Sequence, residues 1–184
     1  MKKTASIAAT VVATALAATS AQAFWGDRVI NDYIATNYEP ISVSSFAGSG
    51  GVTSIYGTTR NQASAEEIAA AIRLPAHFSP RGVSAGPQGE RSGPHLVLVI
   101  APQGVTPKKA CEGKARGGVA GSELRVLGVF CSSFGTPVSE ALLVADGSPV
   151  PGDGDFGDAM LQLLRVMVPV RNPDRDGPQL RIGG

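Results

Sequence analysis

Charge, aromatics and histidine are all scarce in this chain of 184 residues. Only 17% of positions are charged and 5% aromatic, with a single tryptophan; an average soluble domain is ~25% charged. The 16 basic residues nearly balance the 15 acidic ones. A nucleic-acid partner needs a basic face to neutralise phosphates, so none is expected. Two histidines leave few general bases for acid–base chemistry. Two cysteines without a C-x-x-C spacing fit neither a redox pair nor a zinc site. Beyond the N-terminal stretch no apolar run reaches the roughly 20 residues of a membrane-spanning helix, and no transmembrane segment is expected in the mature chain.

The first 23 residues read as a cleaved signal peptide. Lys2 and Lys3 make a positive start, residues 6–18 are uncharged and mostly apolar, and Ala21-Gln22-Ala23 is a small-x-small cleavage site. No cysteine follows, so a lipid anchor is not indicated. The mature chain would run from Phe24 to Gly184. Losing the leader removes two lysines and no acid, which moves the formal charge from +1 to −1. The expected location is periplasmic or extracellular. There, an even cysteine count reads as a disulfide, Cys111 with Cys131.

Glycine (23 residues) and proline (13 residues) punctuate the remainder. Residues 24–50 read as an N-terminal helix, with Trp25, Val29 and Tyr33 at i, i+4 spacing, ended by Pro40 and followed by a linker. Within that linker Ile41 to Phe46 is a candidate strand. Phe24 and Trp25 are expected to pin the N-terminus to the core. Residues 51–168 read as one domain. Val52 to Tyr56 is a strand. Ser64 and Glu67 form a capping box for a helix striped by Ile68 and Ile72. Leu96 to Ile100 is a strand buried on both faces. Two more strands end at Cys131 and Ala145. A last helix, capped by Asp155, carries Phe156, Met160, Leu163, Leu164 and Met167 on one stripe. Long loops fill 79–94, 102–122 and 146–154, and a polar tail fills 169–184. The fold expected is α+β: a two-layer sandwich with a mainly antiparallel sheet of about four strands and two or three helices on one face.

Three motifs carry candidate chemistry. Gly82-Val83-Ser84-Ala85-Gly86 matches the G-x-S-x-G elbow of acyl hydrolases, with Ser84 as nucleophile and His77 or His95 as base; here the motif lies in a Gly/Pro loop without the strand-to-helix turn it needs. Gly152 to Gly157 matches G-x-G-x-x-G, but prolines precede it and no βαβ unit follows. Asn172, Asp174 and Asp176, closing on Gly177, resemble the opening of a calcium loop, yet Gly183 stands where the bidentate acid belongs. Asp153, Asp155 or Asp158 could complete a partial site. Lys108-Lys109 and Arg171, Arg175 and Arg181 are small basic clusters, read as solvated surface.

The order of these segments carries a resemblance. It runs from Tyr56-Gly57 through the capped helix to Ile72, then Leu96 to Pro102, Cys111-Glu112-Gly113, Arg125 to Cys131, and the last helix into Arg171-Asn172-Pro173. It resembles small exported or lipid-anchored bacterial proteins of unknown function. The resemblance supports pairing Cys111 with Cys131 and implies no activity. The expectation is therefore a non-enzymatic binding or accessory module of the envelope, with no cofactor and with an envelope protein or small ligand as partner. The alternatives are a small exported serine hydrolase using Ser84 and a calcium-stabilised domain.

Overall fold

The computed structural model describes residues 27–173 and residue 175. The leader, Phe24, Trp25, Asp174, Asp176 and Gly177 lie outside the described residues. The elements are β1 (Arg28–Ile34), α1 (Pro40–Gly48), β2 (Val52–Tyr56), α2 (Ala65–Ala71), β3 (Ser84–Gly86), β4 (His95–Ile100), α3 (Pro107–Cys111), β5 (Glu123–Cys131), β6 (Pro137–Asp146) and α4 (Gly154–Met167). The strands form one sheet in the order β1-β6-β5-β4-β2-β3. The β1–β6, β6–β5 and β5–β4 pairs are antiparallel, whereas β2 runs parallel to both β4 and β3.

The class is α+β, but the sheet is mixed and has six strands rather than about four. The first extra strand is β1. Residues 28–34 are extended, not helical, because their helix-like spacing comes from a register shift. The shift falls between Ile30 and Tyr33, where Asn31 is left-handed at φ 53°. The one extra residue puts Ile30 and Tyr33 on one face at an i, i+3 spacing, mimicking a helical stripe. The second extra strand, β3, lies inside the predicted loop 79–94. The expected strand at 41–46 is instead α1. Pro40 opens that helix rather than ending one, since a proline's missing N–H costs nothing in a first turn. The segment read as helix and linker thus joins the same sheet and core.

Alternation along the strands sorts side chains onto two faces. On the inner face Leu96, Leu98, Ile100, Leu124, Val126, Phe130 and Leu143 pack with α1, α2 and α4. Phe46 of α1 meets Phe130 edge-on, with ring centroids 5.7 Å apart. From α4, Phe156, Met160, Leu163, Leu164 and Met167 are all buried. Their burial contributes about 10 kcal/mol as an upper bound. Helix α4 crosses β5 at Gly128, where a Cβ would collide with Met167 Sδ. Its N-cap is Asp153, two residues before the Asp155 expected. The Ser64–Glu67 capping box of α2 forms as read, with both reciprocal bonds present.

The outer face is not bare. Val97, Val99 and Val129 pack there against Ala110, Cys111 and Cys131. Helix α3, hidden in the predicted loop 102–122, covers this side, so helices do not lie on one face only. Strand β4 is buried on both faces, as its unbroken apolar run requires.

Candidate functional site

The Cys111–Cys131 disulfide joins α3 to the end of β5, with Cα atoms 5.7 Å apart. Helix α3 has only five residues and cannot persist unaided. The Thr106 hydroxyl caps it by accepting from Lys109 N–H, and Pro107 opens it. At its far end Gly113 is left-handed (φ 69°), and a Cβ there would strike the Gly89–Glu90 backbone. The Tyr56 hydroxyl bridges the same crossing: it accepts from Gly89 N–H at 2.8 Å and donates to Gly113 O at 3.3 Å. The strand-to-helix connection 101–106 begins at Ala101, left-handed at φ 46°. It is tied down where Gln103 N–H donates to Arg116 O.

Two clefts flank this connection and share Gly104 and Val105 as a wall. The first, 430 Å³, is lined by Gln103, Lys109, Lys114 and Arg116. Every lysine beyond the leader (Lys108, Lys109 and Lys114) belongs to this neighbourhood. Glu112 stands among them. A hydrogen bond from Lys114 Nζ, 3.0 Å from Oε2, holds its carboxyl below the usual range. The second cleft, 280 Å³, has Pro102, Val105 and Pro107 on one side and Leu127, Leu142 and Glu140 on the sheet side, with Asn31 at its rim. Burial pushes the Glu140 carboxyl above its ordinary value. The sequence signal for Glu140 is its place as the one acid inside the apolar stretch Val138 to Ala145.

The candidate catalytic and metal-ligating residues singled out from sequence line neither cleft, whereas Lys109 of the first basic cluster lines the 430 Å³ one. Ser84 opens β3, exposed, and its hydroxyl donates to Gly50 O at 3.0 Å. His77 is exposed on the loop after α2; its Nε2 lies 3.2 Å from Val168 O and its ring packs on Phe78. His95 is buried at the start of β4, opposite Cys131, with Nδ1 2.8 Å from Gly93 O. Burial lowers its pKa. No hydrogen bond joins Ser84 to either histidine, and β2 separates β3 from β4 in the sheet.

Asn172 is buried, and its Nδ2 donates to Ala35 O, Thr36 O and Tyr38 O at 2.9, 3.1 and 3.2 Å. This amide clamps the turn between β1 and α1. Its proposed co-ligands Asp174 and Asp176 are outside the described residues. Among the described residues no three His, Cys, Asp or Glu side chains gather as a metal set. Of the C-terminal arginines, Arg175 lies 4.0 Å from Glu39. No helix among the described residues is long and apolar enough to cross a membrane. Set against known protein families, curated proteins and solved structures, the chain matches none.

Proposed function

We propose that this is an exported envelope protein acting as a non-enzymatic binding module, with its ligand surface on the outer sheet face. One observation carries the reading. The disulfide fixes a five-residue helix against the sheet, and the connection leading into that helix walls two clefts. A covalent staple on so short an element fits an oxidising compartment. It also holds a concave surface in shape without requiring a large core beneath it. The leader-like N-terminus supports the same location.

The test has two arms. Cells expressing the chain are fractionated and alkylated in place; an envelope or secreted form starting at Phe24 with blocked cysteines is expected. A cytoplasmic form retaining Met1 refutes export. Purified protein is then exposed to envelope extract and examined by native mass spectrometry. A retained adduct that Leu142→Arg abolishes is the expected result, and no adduct refutes the binding reading. A fluorophosphonate label on the wild type that Ser84→Ala removes would transfer the assignment to a serine hydrolase.

A further inference from the structure

The outer-face cleft at Glu140 joins a carboxylate to apolar walls. We propose that it binds a small organic ammonium ion, with the charged nitrogen on Glu140 and a short apolar body against Leu127, Leu142 and Val105. The inference rests on the binding-module reading and names its ligand class.

Sheet register supplies the argument. Glu140 of β6 stands between Tyr33 of β1 and Val129 of β5. In the next row of that face, Leu142 stands between Ile30 and Leu127. Only one row further do cations appear, Arg28 and Arg125 on either side of Val144. Four residues along a strand is about 13 Å, too far for an ion pair. Arg125 is in any case engaged with Glu123 at 3.0 Å. Glu140 forms no ion pair or hydrogen bond within the described chain, and burial is the sole cause of its raised pKa. A carboxylate held at an apolar wall without a counter-ion costs stability, and an incoming ammonium supplies the missing charge. Tyr33, exposed and paired with Glu140 in the same row, stands next to the cleft without lining it. The cleft's 280 Å³ lies just under the usual span for drug-sized ligands, which favours a small free amine. The lysine-rich cleft repels the same ligand and lies on the other side of Val105.

The experiment titrates n-hexylammonium, 1-hexanol and hexanoate into the intact mature protein at neutral pH and follows backbone amide NMR shifts. Saturable shifts at Val105, Leu127 and Glu140 are expected with hexylammonium below about 10 mM, with weak or no response to the other two. Glu140→Gln should weaken hexylammonium about tenfold or more, the span of a charge-assisted hydrogen bond. That variant keeps the shape and removes a half-buried charge, so it is expected to fold. Equal binding of hexanol or hexanoate, or unchanged affinity in Glu140→Gln, overturns the proposal. Tighter binding of Nα-acetyl-lysine methylamide also overturns it, in favour of a protein side chain. If hexylammonium fails while envelope extract still leaves an adduct that Leu142→Arg abolishes, the ligand class is wrong and the module stands. If neither binds, both readings fall.

Discussion

Reducing the Cys111–Cys131 bond is the perturbation whose size follows most directly from the structure. The bond closes a loop with a sequence separation of 20. In the chain-entropy model this is worth about 3 kcal/mol. For a domain of this length each kcal/mol moves the melting temperature by roughly 2–4 °C. Reduction should therefore lower it by about 6–12 °C. The effect should also have a place. Both sulfurs are buried, and α3 is too short to hold itself. Amides across 101–118 should exchange before those of α4 or β5. The measurement is a thermal melt with and without a phosphine reductant, with intact mass after alkylation to verify two free thiols. A Cys111→Ala/Cys131→Ala variant should melt low and ignore the reductant. A fully reduced wild type that melts within about 2 °C of the oxidised protein, with unchanged exchange at 101–118, would refute the argument that the staple holds the outer face.

Three further outcomes are expected. Asn172→Ala removes a buried amide and strands the carbonyls of Ala35, Thr36 and Tyr38; denaturant unfolding should show a loss of about 2–3 kcal/mol, and no loss would mean the clamp is ornamental. Gly113→Ala forces a left-handed alanine into the Gly89–Glu90 backbone and should cost about 3 kcal/mol, read as a lower melting temperature with early exchange around α3. His95 is held neutral by burial, its folded pKa below the ordinary 6.5. The unfolded chain therefore takes up the proton first, and stability present above 6.5 falls as pH drops through 6.5 toward the folded value. Melting temperatures should decline over that window in the wild type and less steeply in His95→Gln.

The elements that sequence foretold are those whose signal is local and complete. Residues 96–100 announce burial on both faces because nothing polar interrupts them. Ser64 with Glu67 announces a helix start because the two reciprocal bonds need only that spacing. The α4 stripe and the cysteine pair were legible for the same reason. What misled was a local pattern altered by a distant partner. At β1 the register shift opposite β6 breaks the period of two, so Ile30 and Ile34, whose i, i+4 spacing reads as one helical face, stand on opposite faces of the sheet. At Pro40 the same residue can end a helix or open one, and Glu39's extended backbone (φ −129°) decides. Helix α3 was invisible because five residues carry no periodicity. The candidate site was illegible for a different reason. Its walls come from Asn31, 102–107, Leu127, Glu140 and Leu142, which only the strand order brings together.

That strand order also bears on how the chain is made. Strand β1 has one neighbour, β6, more than 100 residues downstream, and the turn after β1 is closed by the amide of Asn172. Pairings so distant in sequence form late, because the intervening loop must close first. Until nearly the whole chain has emerged from the ribosome, its N-terminal end has no strand to join. For a protein that we propose leaves the cytoplasm, this topology postpones closure of the sheet. On that proposal the leading segment would stay threadable through a translocation channel, and the fold would complete on the side where its cysteines can be oxidised.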